Sequence, residues 1–348
     1  MLSGIKNFTD SIKKIDIFLS LYMCSFYKES LISGIEKLFT DPKCFLLGED
    51  IADPYGGAYT ITKGMSAKFP GKIINTPMSE QGFTGLGVGM ALAGYKPIIE
   101  IMFGDFSTLI MDMILNHASK FVEGFEKKLH LVVRDPMGGY RGYGATHSQS
   151  LEKLYVGLPN IAVISPSVLH EPGDLLVKAM ELGVPVIFAE NKLDYTRKMF
   201  KAEKIASAFD IQYHGGDFPI AEVTFPDEEA EVTIVSYGGL ISPLLQTLYD
   251  LYMEEEVAVR LLDISNLSPM DFDLLENLLK DSKKVLTVEE GHIPFGIGDT
   301  IISQMVQRGL KAQFKAIGAS QHIIGTSKEA EALALPQMDD IKNVVLNW

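Results

Sequence analysis

"NTPMSEQGFTGLGVGMALAGYKP", Asn75 to Pro97, decides how the chain is read. It holds one acidic residue, Glu80, just before a long run of small and apolar side chains. That run predicts a buried helix, and a buried carboxylate is costly unless something pairs with it. Either the protein or a ligand must supply the partner. Glycines at 82, 85, 87 and 89 invite a dinucleotide-binding reading, but after Gly85 and Gly87 the third glycine would fall at position 90, which is Met90. They also lie inside the predicted helix rather than in a strand-to-helix turn. Small residues on a helix instead allow close backbone approach, to a neighbour in the same chain or in another subunit.

Outward from this stretch, short apolar runs alternate with helical ones. "CFLLGED" (44–50), "KIINTP" (72–77), "KPIIEIMF" (96–103), "HLVVRDP" (130–136), "IAVISPS" (161–167) and "PVIFAEN" (185–191) read as strands. "STLIMDMILNHASKF" and "PGDLLVKAMELG" read as helices between them, the second opened by Pro172 and closed by Gly183. Strands separated by helices at this spacing predict an α/β fold with a mostly parallel sheet flanked by helices. From about Arg197 to Ala230 the pattern lapses into glycine, proline and acid. It restarts with "EVTIVSYGG", "AVRLLDIS", "KKVLTVEEG" and "FKAIGA", a second and smaller α/β domain. The reading is therefore an N-terminal extension over 1–24, a first domain over 25–200, a linker over 201–230 and a second domain over 231–348.

The 348 residues carry a formal net charge of −14 and no lysine or arginine stripe, which argues against a nucleic-acid partner. Two cysteines, Cys24 and Cys44, are too few for a disulfide framework and suit a reducing cytoplasm. No apolar run reaches the roughly 18 residues of a membrane-spanning helix. "IDIFLSLYMCSF" (15–26) comes nearest and reads as part of the N-terminal extension.

Two further stretches sit just past predicted strand ends, where parallel sheets place their chemistry. "RDPMGGYRGYGATHSQS" (134–150) is glycine-rich, predicts a mobile loop, and delivers Thr146, His147, Ser148 and Gln149 together. "IMFGDFST" sets Phe103 and Phe106 around Gly104–Asp105, either as core or as a stacking surface for a planar ligand. The remaining histidines are scattered without metal-ligand spacing, and "THSQS" is not a nucleophile elbow, so a serine hydrolase is excluded.

Together these stretches carry a family signature. "GEDI", "INTPMSEQGFTGLGVGMALAGYKPIIEI", "GYGATHSQSLE", "GLPNIAVISPS", "PVIFAENKLDY", "TIVSYGG", "LLDIS" and "VEEGHIPFGIG" resemble the beta subunit of thiamine-diphosphate-dependent 2-oxoacid dehydrogenases, over roughly residues 25–348. The resemblance implies a pyrimidine-binding domain followed by a transketolase-type C-terminal domain. It implies oxidative decarboxylation of a 2-oxoacid with acyl transfer to lipoamide. Glu80 matches the glutamate that hydrogen-bonds a ring nitrogen of the aminopyrimidine and so favours loss of the thiazolium proton. Phe106 matches the aromatic that stacks on that ring, and His147 the histidine that handles protons in decarboxylation and acyl transfer.

The G-D-G motif for magnesium and the diphosphate is missing, since "GDF" and "GDT" stand where it would be sought. The resemblance therefore implies half a site, completed by an alpha subunit in an α2β2 heterotetramer, with a lipoyl acyltransferase as a further partner. A split transketolase-like ketol transferase is the alternative reading, and a non-catalytic paralogue is another. Tyr140, Tyr143 and Asp194 depart from the family pattern and predict side chains that recognise a polar 2-oxoacid or aldehyde.

Overall fold

The computed structural model describes residues 26–348. The expectations for 1–24, including Cys24, lie outside the described residues. Six strands alternate with helices in the first half: β1 Cys44–Gly48, β2 Ile73–Asn75, β3 Lys96–Glu100, β4 Leu131–Met137, β5 Ala162–Ile164 and β6 Pro185–Asn191. They pair in parallel in the order β5-β6-β4-β3-β1-β2. β4 and β6 are buried along their whole length, as continuous apolar runs covered on both faces should be. Inside this sheet Arg134 forks onto Glu190 with two 2.7 Å bonds and also reaches Glu100, so one buried cation ties β3, β4 and β6.

The second sheet runs β13-β12-β9-β10-β8-β7, from β7 Asp210–His214, β8 Ile220–Thr224, β9 Val232–Ser236, β10 Val259–Ile264, β12 Lys284–His292 and β13 Gln313–Ala319. β7 and β8 form an antiparallel hairpin on β10, so the stretch 201–230 is not a bare linker. The remaining strand, β11 Asn266–Ser268, leaves the second half of the chain to pair antiparallel with β5 of the first sheet. The two sheets are thus stitched by backbone as well as by side chains.

The helix Glu80–Leu92 corrects the expectation of full burial. Phe83, Thr84, Gly87, Val88 and Ala91 face the sheet, where a Cβ on Gly87 would stand 2.6 Å from the Ile99 side chain. Its other face is open: Leu86 is 53% and Leu92 39% exposed, Met78 just before it is 84% exposed, and a Cβ on Gly89 would meet nothing within 4 Å. The helix predicted through 107–121 is instead a 3-10 turn over Gly104–Ile110, a π-helical segment over Met113–Ala118 and a short α-helix over Ser119–Gly124.

Candidate active site

The side chains singled out in the sequence all follow C-terminal ends of parallel strands. Glu80 opens its helix after β2 and is half-buried. The paired ends of β1 and β2, Gly48 opposite Asn75, bring Glu49 beside it. Glu49 was not singled out from the sequence, because an acidic residue at a strand end reads as a solvated edge. Its Oε1 is buried without a partner. Burial, then the neighbouring Glu80 charge, raise its pKa above the usual carboxylate value, while the Ser79 N–H pulls the other way. Asn75 fixes the strand ends by accepting the Ile51 N–H at 2.9 Å. Among the described residues Glu80 thus faces another carboxylate, and a proton donor placed there would satisfy both.

Phe106 and His147 are brought together. His147 stands edge-on to Phe106 at 5.3 Å and to Phe103 at 4.6 Å between ring centroids, and its Nδ1 meets the Thr146 hydroxyl at 2.9 Å. Phe103 in turn contacts Tyr59, from the loop after β1, at 6.1 Å and Tyr143 at 6.1 Å. The aromatics at the β3 tip are thus a shared platform rather than closed core. Beneath them Asp105 accepts from Gln149 Nε2 at 2.7 Å and keeps its other oxygen without a partner, and burial raises its pKa.

The loop that carries His147 is not loose, contrary to the sequence expectation. Glu331, from the C-terminal domain, accepts the N–H of Gly142 at 2.9 Å, the N–H of Tyr143 at 3.2 Å and the Ser148 hydroxyl. Glu290, in β12, accepts the Gly139 N–H and the Asn191 amide. Lys192 donates to the His147 carbonyl. Gly138, Gly142 and Gly144 all take positive φ, which is what their lack of a Cβ is used for here. Two departures noted in the sequence also resolve. Asp194 is wholly buried and bound to Arg197 at 2.7 Å, and Tyr140 turns to the C-terminal domain, its hydroxyl donating to Pro336 O at 2.7 Å. The Tyr140 hydroxyl is thus committed to the C-terminal domain, while the second oxygen of Asp194 is buried without a partner. Tyr143 stays on the platform, 43% exposed.

Among the described residues no three His, Cys, Asp or Glu converge as a metal site. Half-buried Glu80, the unpartnered Oε1 of Glu49 and the aromatic platform suit an aminopyrimidine, whereas a cluster for magnesium has no counterpart among them.

The transketolase pyrimidine-binding domain family matches residues 35–198, and the transketolase C-terminal domain family matches 221–341. The mitochondrial pyruvate dehydrogenase E1 component subunit beta-1 of Arabidopsis thaliana is 32% identical over 322 residues, 90% of this chain and 86% of that one. The chain belongs to the transketolase-like family of 2-oxoacid dehydrogenase beta subunits. The bacterial pyruvate dehydrogenase E1 component subunit beta of Rickettsia bellii is 30% identical over 316 residues, covering 89% and 94% of the two chains. A solved split gene transketolase, an inactive beta4 tetramer, shares the fold of this beta-subunit chain with a TM-score of 0.70 at 21% identity, over 93% of this chain and 98% of that one.

Proposed function

We propose that this beta subunit decarboxylates a 2-oxoacid with thiamine diphosphate at a site completed by an alpha subunit that holds magnesium and the diphosphate. The observation that carries the reading is the Glu49–Glu80 carboxylate pair at the β1–β2 ends, on the same strand-end rim as the Phe106–His147 contact. When bound, thiamine diphosphate supplies an electron sink for the pair released when the bond between the keto and carboxylate carbons breaks and carbon dioxide leaves. Glu80 would hold the pyrimidine ring nitrogen, with Glu49 keeping a proton at hand. Phe106 would flank the ring, and the imidazole of His147 would pass a proton to or from the substrate oxygen. An α2β2 assembly fits the open face of the 80–92 helix. The relatives' naming as an E1 component supports transfer of the acyl group to a further component, which we read as a lipoyl acyltransferase. A cytoplasmic setting is supported by the bacterial relative and by the two-cysteine content.

The test is co-expression with a chain carrying the diphosphate motif, assayed on a 2-oxoacid panel with an artificial electron acceptor. Turnover should require both chains, and Glu80→Gln should lower it by about 10²-fold or more with the assembly intact, the scale of a lost acid–base contribution. Near-normal activity of that variant would remove Glu80 from the role. Calorimetry on the isolated chain should detect no tight binding of thiamine diphosphate with magnesium. Micromolar binding would reveal a second cofactor subsite in this chain.

A further inference from the structure

The chain has five arginines: Arg134, Arg141, Arg197, Arg260 and Arg308. Four of them hold a carboxylate, from buried Arg134 on Glu190 to exposed Arg308 on Asp273 and Glu276. Among the described residues Arg141 has no carboxylate partner, in a protein of net charge −14. Its guanidinium lies 5.3 Å from the Tyr143 ring centre and 5.7 Å from that of Tyr59, and donates once, to the Lys192 carbonyl at 3.2 Å. Most of its five donors remain unused.

Lys192 is the second anomaly. Its side chain is fully buried, it too lacks a carboxylate partner among the described residues, and its ammonium sits 5.4 Å from the Phe103 ring centre and 6.0 Å from that of Tyr143. Burial lowers its pKa to about 8, the Asp105, Glu290 and Glu331 charges pull it back up, and the Arg141 charge pushes it further down. Asp105, Glu290 and Glu331 partly offset the cost of desolvating Lys192, but none of them is paired with Arg141, whose open donors leave room for an anion beside both cations. Both cations rest on the platform, through Tyr143, Tyr59 and Phe103, that also holds His147.

We propose that Arg141 and Lys192 form a cationic subsite that binds a second anionic group, a carboxylate or a phosphonate or phosphate, carried by the 2-oxoacid away from its reacting carbonyl. The inference rests on the decarboxylase reading and narrows its substrate class to dianionic 2-oxoacids. A guanidinium pairs such groups bidentately, and the aromatic faces exclude water around the pair.

The experiment uses the two-chain complex with pyruvate, 2-oxoglutarate and phosphonopyruvate. Wild type should favour one of the two dianionic acids over pyruvate in kcat/KM, and which one wins identifies the anion. Arg141→Gln should raise the KM for that acid about tenfold to a hundredfold, the range of a lost charged hydrogen bond, and leave the pyruvate constants unchanged. An equal loss on all three acids would mean that Arg141 only positions the loop, and would overturn the subsite. Unchanged constants would overturn it too. A second readout needs no turnover: phenylglyoxal modification of Arg141 in the isolated chain, read by mass spectrometry. Succinate or inorganic phosphate should slow modification at Arg141 while leaving that at Arg308 unchanged, and equal modification with and without the anions overturns the proposal. If no 2-oxoacid turns over but Arg141 is still protected, the decarboxylase reading fails and the anion site stands.

Discussion

Glu49 and Glu80 differ by little in chemistry and by much in circumstance. Each ends or follows a strand, yet Glu49 has an oxygen sealed from water without a partner and a raised pKa. Glu49→Gln should lower turnover of the two-chain complex about tenfold, less than Glu80→Gln, because a proton store is lost while the group facing the ring nitrogen remains. Steady-state rates on the two variants check the order, and a larger loss at Glu49 would exchange their roles. Glu80 stood out in the sequence as a lone carboxylate before an apolar run, and Phe106 and His147 as an aromatic and a polar cluster just past strand ends; the structure brings Phe106 and His147 together and sets Glu80 beside Glu49. What remained illegible was direction. Asp194 and Tyr140 have the same residue types as specificity determinants, and only the fold turns one into Arg197 and the other into the C-terminal domain. Arg141 and Lys192 went unremarked for the opposite reason, since cations in a loop are ordinary until the fold shows that, among the described residues, no carboxylate is bonded to either.

Elements were read well where burial is continuous. The central strands of the parallel sheet stand where apolar runs placed them, because burial on both faces leaves no polar alternation to confuse. β7 and β8 were missed because β7 is an edge, with Asp210, Gln212 and Tyr213 exposed and a glycine-rich turn after it. β11 is three residues long and pairs across the domain boundary, a contact that no local pattern encodes. The glycines of the 138–149 loop suggested motion, but the loop's amides are claimed by two distant carboxylates. Glu331→Ala would leave two N–H groups and the Ser148 hydroxyl without their acceptor, at about 1–3 kcal/mol for each one that stays buried. Tryptic cleavage after Arg141 should then speed up at least about tenfold, since a locally opened segment is what a protease samples. Cleavage at the wild-type rate would show that Glu290 and Lys192 hold the loop unaided.

At the scale of the molecule, the seam between domains is rich in carboxyl groups. Burial pushes both Glu289 and Glu290 up to about 7, while backbone N–H groups pull the other way: Ile297 and Gly298 for Glu289, Gly139 for Glu290. A folded-state pKa above the unfolded value means that the folded chain binds the extra proton. The stabilisation is complete below about pH 4.5 and is lost as pH rises through about 7. The isolated chain should therefore resist urea less as pH rises from about 5 to about 7.5. Glu290→Gln should flatten that decline by one proton's worth, about 1.4 kcal/mol per pH unit near the middle of the window. An unaltered slope would place the proton elsewhere in the seam.

Gly89 carries a different kind of information. Mid-helix glycine costs about 0.5–1 kcal/mol against alanine, and here an added Cβ would meet nothing within 4 Å among the described residues. Gly89→Leu should accordingly leave the melting temperature of the isolated chain unchanged or slightly higher, yet abolish co-purification with the alpha-type chain. Retained co-purification would mean that this face is not where the subunits meet. If the expectation holds, a lesion at Gly89 is recessive to every assay of folding and visible only in the company of the other gene product. A survey of variants that scores solubility or expression would pass it as benign, and a suppressor would map not to this chain but to the partner's surface.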